Sequence, residues 1–139
     1  MSDGHADWTQ IRNLLSEYCH AIDERRFDDF EQLFTADAIV TPKLANRTYH
    51  GPAEIRGWLE SQPRAMRGLH TTTNPNIAVD GDDATVRADF MVYVTRGDSS
   101  VVGAWGFYRD RLRRIDGRWL FAERQVETQW RVGDTEIVR

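Results

Sequence analysis

Hydrophobic positions in the first part of the chain recur at the spacing of α-helices. Residues 8, 11, 15, 18 and 22 share one apolar stripe on a helix that the pattern extends to about Glu24, with Asp7 or Thr9 as its cap. A shorter helical period follows over residues 27–34 and ends at 35–37. Gly51-Pro52 then predicts the start of a third helix, because proline is favoured in a first helical turn.

From Leu69 onwards the hydrophobic period changes to two, the period of β-strands. Pro75 interrupts the first of these strands and indicates an edge strand or a bulge. Turn signals such as Asp116-Gly117 separate the others. The predicted long strands are 69–79, 84–95, 100–115 and 118–131, and a short hairpin of 38–41 with 47–50 precedes them.

Helices followed by an antiparallel meander predict one α+β domain over residues 1–139. Strands longer than about ten residues twist and coil strongly, so we expect a mostly antiparallel sheet that curves around the N-terminal helices. The result would be a cone-shaped α+β barrel. Its open mouth is a natural pocket for a small molecule.

The long strands carry apolar residues on both faces. One face of the strand at 84–95 is formed by Val86, Ala88, Phe90, Val92 and Val94. The other face carries Asp89 but also Met91 and Tyr93. A second apolar face predicts cover by another subunit, so we expect a homo-oligomer, either a dimer or a trimer.

Composition narrows the classes of partner. The chain has 139 residues, of which 40% are hydrophobic and 11% aromatic, as in folded globular domains. A net charge of −4 argues against nucleic acid or an anionic membrane as the main partner. The single cysteine fits a reducing compartment, and no apolar run approaches the roughly 20 residues of a membrane span. We therefore expect a cytoplasmic domain that binds a small hydrophobic molecule.

Candidate chemistry lies on the first helix and the first long strand. Tyr18 occupies the middle of the apolar stripe, so its buried hydroxyl needs a partner. Asp23 lies at the edge of the stripe, and His70 starts the strand. If the helix crosses the sheet, Asp23 and His70 could meet at the mouth of the cone. The carboxylate would then orient the imidazole as a general base, with Tyr18 as donor to an enolate oxygen.

Each of these residues also has a structural interpretation, which is the commoner one for a single residue. Tyr18 could be a core residue, Asp23 a capping or solvated group, and His70 a structural residue at a strand end. The four histidines lack metal-ligand spacing, and the chain has no phosphate loop, nucleotide-binding fingerprint or serine-nucleophile motif. No metal or cofactor is therefore expected.

Loose motifs extend over nearly the whole chain: Ile11…Tyr18-x4-Asp23, Leu33-Phe34-x2-Asp37-Ala38, Gly51-Pro52-x2-Ile55, His70, and Phe107-Tyr108…Asp116-Gly117-x-Trp119. Together they resemble the SnoaL-like branch of the nuclear transport factor two superfamily. Within that branch the chain is similar to scytalone dehydratase, hexachlorocyclohexane dehydrochlorinase and bile-acid 7α-dehydratase, lyases that need no cofactor.

The resemblance assigns the catalytic acid–histidine pair of these lyases to Asp23 and His70. It assigns a catalytic tyrosine to Tyr18. Two substrate-binding positions, one for a leaving group and one an arginine of some dehydrochlorinases, fall on Tyr108 and Arg124. Other family residues have no counterpart, because their positions hold Pro42 or Lys43, Thr95 and Thr128.

Two hypotheses follow. The first is a cofactor-independent lyase or isomerase, of the dehydratase type, acting on a hydrophobic ring-bearing molecule such as a polyketide or steroid. Its pocket walls would include Trp58, Met91, Tyr93, Trp105 and Phe107. The second is a non-catalytic module for ligand binding or assembly, in which Asp23 and His70 only stabilise the fold.

Overall fold

The computed structural model describes residues 4–62 and 68–133. Three helices lie in the first half: α1 (Gly4–Asp23), α2 (Phe27–Glu31) and α3 (Gly51–Glu60). The strands are β1 (Phe34–Pro42), β2 (Tyr49–His50), β3 (Gly68–Asp80), β4 (Asp83–Arg96), β5 (Ser99–Ile115) and β6 (Arg118–Arg131). A single 3₁₀ turn, Lys43–Ala45, joins β1 to the short β2.

The six strands form one open, mixed sheet in the order β2-β1-β6-β5-β4-β3. The last four strands form the predicted antiparallel meander, and their bounds agree with the predicted ones to within a residue or so. β1 lies beside β6 in parallel, which makes the sheet mixed. The helices pack on one face of the sheet, and the predicted cone-shaped α+β fold is confirmed.

The predicted boundary between the second helix and the first strand is wrong. Residues 35–37 do not end a helix, because β1 already begins at Phe34. Phe34 pairs with Phe121 of β6, and the amide of Phe121 donates to the carbonyl of Leu33 at 2.8 Å. Pairing with the last strand therefore overrides the local helical period, which sequence spacing alone does not reveal.

The start of α1 also differs from the prediction. The helix begins at Gly4, so neither Asp7 nor Thr9 is its cap. Asp7 is instead buried inside the helix, where its Oδ1 accepts hydrogen bonds from Arg114 at 2.6 Å and from Trp119 at 3.2 Å. Ion pairing thus fastens the first turn of α1 to the β5–β6 hairpin. Trp8, the first residue of the predicted stripe, is 43% exposed.

The rest of the stripe forms the core together with the inner face of the sheet. Ile11, Leu15, Tyr18 and Ile22 are buried, as predicted. They face the buried side of β4, formed by Val86, Ala88, Phe90, Val92 and Val94. Burying these apolar side chains contributes about 1.5–3 kcal/mol for each of the larger ones, so this interface stabilises the fold substantially.

The outer face of the same strands is only partly polar. Leu69 is 58% exposed, and Tyr93 and Trp105 are 37% and 38% exposed. Within residues 4–62 and 68–133, no helix is long and apolar enough to span a bilayer.

Candidate active site

The structure brings Asp23 and His70 together. Nδ1 of His70 lies 2.6 Å from Oδ1 of Asp23, and the His70 backbone amide donates to both carboxylate oxygens at 3.0 and 3.2 Å. Both side chains are mostly withdrawn from solvent, with 16% and 14% of their side-chain surface exposed. A carboxylate can only accept, so Nδ1 carries a proton and the other ring nitrogen, Nε2, is the basic one in the neutral ring.

The end of α1 is built so that Asp23 lies in its last turn. The amide of Arg26 donates to the carbonyl of Ala21 at 2.8 Å, and the amide of Arg25 donates to that of Ile22 at 3.0 Å. These two bonds form a Schellman motif, with Arg25 in the left-handed conformation at φ +56°. A residue other than glycine costs roughly 1–2 kcal/mol there, so the helix stops at this point under mild strain.

His70 reaches the helix because β3 lies along α1. Gly68 starts the strand so close to β4 that an added Cβ would meet the carbonyl oxygen of Tyr93, which fixes the entry of the strand. Two residues beyond His70, the Thr72 hydroxyl lies 3.3 Å from the Cys19 thiol, one helical turn before Asp23. Two side-chain contacts one turn apart therefore set the register of α1 on β3.

The position of Asp23 has an electrostatic consequence. The C-terminus of a helix carries a partial negative charge, which is unfavourable for a carboxylate. Here the three hydrogen bonds from His70 compensate for it. The Asp23 carboxylate and the partial negative charge of the helix C-terminus would both stabilise an imidazolium after His70 has taken up a proton.

The pair opens into a cavity of about 480 Å³, within the range of small-molecule pockets. Most of its wall is apolar and includes Ile22, Trp58, Leu59, Phe90, Val92 and Val126. Trp58, which the sequence proposed as a wall residue, stacks on Tyr49 with ring centroids 5.7 Å apart. Arg25 and Arg131 also line the cavity.

Tyr18 and Tyr108 supply phenol groups to the wall of this cavity. Their rings pack edge to face with centroids 6.0 Å apart, and both residues are almost fully buried. Burial raises the pKa of Tyr18 to about 12, although nearby Arg124 acts in the opposite direction. Burial likewise raises the pKa of Tyr108. Both phenols are therefore protonated at neutral pH and can donate hydrogen bonds.

Arg124 is not where a substrate-binding residue would be. It is fully buried and is absent from the cavity wall, behind the two tyrosines. Its Nε and Nη2 donate to the two carboxylate oxygens of Asp110 at 2.8 and 2.9 Å. Direct contact between Arg124 and a ligand in this cavity is thus excluded by the geometry, and the expectation is corrected.

Four other predicted wall residues lie on the opposite face of the sheet. Met91 pairs with Trp105 and Tyr93 pairs with Val102, on the outer side of β4 and β5. Phe107, whose ring centroid is 6.2 Å from that of Trp105, lies on the same side. None of these four lines the cavity. The sequence correctly divided β4 into two apolar faces, but the expected wall residues were drawn from the outer one.

The cavity wall instead uses smaller residues on the inner face and residues near the end of β1. Phe90, Val92, Ala104 and Val126 continue the buried alternation of their strands, a signal present in the sequence. Leu44 and Ala45 enter through the 3₁₀ turn, which no sequence pattern indicated. Across residues 4–62 and 68–133, no cluster of three or more histidine, cysteine or acidic side chains could hold a metal ion.

Comparison with known proteins supports the same family. The family model for the SnoaL-like domain matches residues 5–125. The chain belongs to the SnoaL-like family. Its relatives include Rv2910c of Mycobacterium tuberculosis, which is 35% identical over 130 residues, or 89% of this chain and 86% of that protein.

Solved structures of similar proteins share this SnoaL-like fold. Rv3472 of Mycobacterium tuberculosis superposes with a TM-score of 0.83 at 28% identity, covering 96% of this chain and 80% of that one. A candidate scytalone dehydratase from Novosphingobium aromaticivorans gives a TM-score of 0.77 at 23% identity, covering 90% of this chain and 85% of that one. At the latter identity the similarity shows the fold alone.

Proposed function

We propose that this SnoaL-like protein is a cofactor-independent lyase or isomerase of the dehydratase type. The observation that carries the proposal is the 2.6 Å contact between Asp23 and Nδ1 of His70 at the wall of a largely apolar cavity. An oriented imidazole in a pocket from which water is excluded is the arrangement that proton abstraction next to a carbonyl requires. Membership of the SnoaL-like family, together with the fold shared with the candidate dehydratase, supports the same class of reaction.

In the proposed reaction, Nε2 of His70 removes a proton from the carbon next to a substrate carbonyl. The electron pair of the broken C–H bond moves towards the carbonyl oxygen, which becomes an enolate. Tyr18 donates a hydrogen bond to that oxygen, and Asp23 stabilises the imidazolium. In an elimination, the enolate then expels a hydroxyl group from the carbon next to the α-carbon, and the imidazolium gives its proton to that group, which leaves as water. In an isomerisation, the imidazolium returns the proton to a different carbon.

The wall of the cavity supports one class of substrate. Trp58, Phe90 and other apolar side chains dominate it, and its volume is about 480 Å³. Such a pocket suits a fused-ring or similarly bulky hydrophobic molecule with a few oxygen substituents. We therefore assign a polyketide- or steroid-like ketone as the class of substrate.

Hydrogen–deuterium exchange tests the base without knowledge of the leaving group. A bicyclic ketone such as 2-tetralone is incubated with the protein in D₂O, and loss of the α-proton signal is followed by NMR. His70→Gln should slow the protein-dependent exchange by about 10²–10⁴-fold while ketone binding persists. His50→Gln, an exposed histidine on β2, is the matched control and should leave the exchange rate unchanged.

Ketones that bind without any protein-dependent exchange would contradict the proposal and favour the second candidate function, a binding module. One observation favours that alternative. Asp23 also accepts a hydrogen bond from the His70 backbone, so it fastens α1 to β3 whether or not the ring acts as a base. In a binding module, Asp23→Asn would lower the free energy of unfolding. Neither the wild type nor the variant would catalyse the exchange.

Self-association forms part of the same proposal. The outer face presents the exposed side chains of Leu69, Tyr93 and Trp105. Farther along the same face, Arg111 of β5 pairs with Glu123 of β6 at 2.7 Å, so both signs of charge are present on one surface. A surface with apolar groups and both charges can be complementary to itself about a two-fold axis, and we assign a second copy of this chain as its partner.

A further inference from the structure

A complete ion pair lies behind the cavity, isolated from solvent. Arg124 and Asp110 are linked by two hydrogen bonds, and their side chains are both 0% exposed. Taking two charges out of water costs several kcal/mol per ion, and such pairs are often no more stabilising than apolar residues of the same size. Stability alone is therefore a weak reason for this pair to be here.

The guanidinium of Arg124 packs against aromatic rings. Its Cζ lies 3.6 Å from the ring centroid of Tyr108, 4.2 Å from that of Tyr18 and 4.5 Å from that of Phe121. Two of these three rings belong to the phenols of the cavity wall. Its Nη1 is buried and has no hydrogen-bond partner of good geometry among the described residues. Asp110 thus fixes one edge of the guanidinium while the tyrosines cover its faces.

We infer that Arg124, held in place by Asp110, is a positioning residue that polarises the hydroxyl groups of Tyr18 and Tyr108 towards an oxyanion in the cavity. This inference rests on the proposed function, since it assigns a role to the charge behind the proposed donor. A positive charge behind a phenol draws electron density from the hydroxyl and strengthens the hydrogen bond that it donates to an anion. The inference also adds Tyr108 as a second donor.

The order of the electrostatic effects agrees with this geometry. Burial raises the pKa of both phenols, and Arg124 lowers each of them. Asp110 raises both, but its effect is smaller than that of Arg124 in each case. The ion pair therefore acts on the cavity as a dipole whose positive end lies against the tyrosines.

Binding of 2-naphthol tests the inference, because its anion resembles an enolate held by two phenols. Affinities for the naphtholate and for naphthalene, which lacks the oxygen, are measured by fluorescence above the pH at which naphthol ionises. The variant Arg124→Gln/Asp110→Asn removes both charges and keeps a neutral hydrogen-bonding pair. It should bind naphtholate about tenfold more weakly, the difference expected when a hydrogen bond to an anion is weakened.

Naphthalene affinity should change by less than about twofold in the same variant, since no charge develops on that ligand. The substitutions Arg124→Gln/Asp110→Asn are then repeated in a Tyr18→Phe/Tyr108→Phe background. Most of the difference in naphtholate affinity should disappear there, as expected if the charge acts through the phenols. A matched control, Arg111→Gln/Glu123→Gln, removes an ion pair between the same strands on the outer face and should not alter either affinity.

The outcomes separate the inference from the proposed function. Equal naphtholate affinity in the wild type and the neutral variant overturns the inference and leaves the ketone exchange test untouched. Failure of the wild type to bind either ligand overturns both. If the neutral variant does not fold, Arg124→Met/Asp110→Leu supplies a second uncharged pair of similar volume. If both variants are unfolded, the pair is required for the fold and the inference is wrong.

Discussion

The inner and outer faces of β5 and β6 carry the same kinds of charge in opposite surroundings. On the inner face, Arg124 and Asp110 form a fully buried pair, whereas Arg111 and Glu123 on the outer face form a pair whose arginine is 62% exposed. Water screens the outer pair, so its attraction contributes little. Without water, the same charges act strongly on their neighbours, here the two phenols. The comparison shows that position in the sheet, more than residue type, decides how strongly a charge acts on its neighbours.

The largest expected effect is on stability, when one partner of each pair is removed. Arg124→Leu leaves Asp110 buried without its cation and should lower the free energy of unfolding by about 3–5 kcal/mol. Arg111→Leu on the outer face should change it by less than about 1 kcal/mol. Urea denaturation of the two variants measures both values. Similar losses would contradict the distinction between the faces.

The pH dependence of the Arg124→Leu variant sharpens the same comparison. Burial raises the pKa of Asp110, and Arg124 opposes that effect in the wild type. In the variant the opposition is gone, so the folded state prefers a protonated carboxyl. A carboxyl whose pKa is raised on folding contributes stability at low pH that is lost as the pH rises through that pKa. The destabilisation should therefore be smaller at about pH 5 than at about pH 7.5, whereas Arg111→Leu should show no comparable trend.

Much of this arrangement could be predicted from the sequence. The helical stripe on α1, the four long strands and the meeting of Asp23 with His70 all follow from periodicity, turn residues and family resemblance. The parallel pairing of β1 with β6 could not be predicted, because it joins segments more than 80 residues apart and leaves no local pattern. The Arg124–Asp110 pair was equally hidden. Its partners lie on neighbouring strands, and charged residues in a strand are usually solvated.

The face on which His70 lies depends on an irregularity within β3. Near the β3–β4 turn, Ile77 pairs with Val86, and continuing this register without interruption would set His70 opposite Tyr93. The extra residue between Thr73 and Asn76 shifts the register, so that His70 pairs with Val92 instead. Pro75 was predicted to mark an edge strand or a bulge, and β3 has both features, but the effect on the faces was not predicted. One inserted residue exchanges the two faces of a strand, so the bulge turns His70 to the face of Val92, which lines the cavity.

The next largest effect is expected from substitution of an aromatic residue on the outer face. Trp105→Glu places a charge on the surface assigned to a second copy of this chain, and it should weaken self-association by at least about 30-fold, as for a buried tryptophan at an interface centre. Light scattering over a concentration series measures the assembly. Trp8→Glu is the control, since Trp8 is 43% exposed on α1, compared with 38% for Trp105. A wild-type protein that is monomeric at micromolar concentration would remove the proposed interface.

The smallest effect is expected at the bulge that separates the two faces. Asn74 has φ +53° there, and its side chain donates to Asp89 at 2.9 Å. Asn74→Gly keeps the backbone conformation accessible and should change stability by only a few tenths of a kcal/mol, whereas Asn74→Val should cost about 1–2 kcal/mol because a β-branched residue resists the left-handed region. Urea denaturation measures the costs, and the exchange rate of 2-tetralone reports on the site.

If the bulge sets the face of His70, the valine variant should lose exchange activity beyond its loss of folded protein. The control Asp89→Ala removes the side-chain hydrogen bond but not the bulge, so it should retain that activity. Equal losses of activity in both variants would show that the hydrogen bond, rather than the backbone turn, positions the histidine.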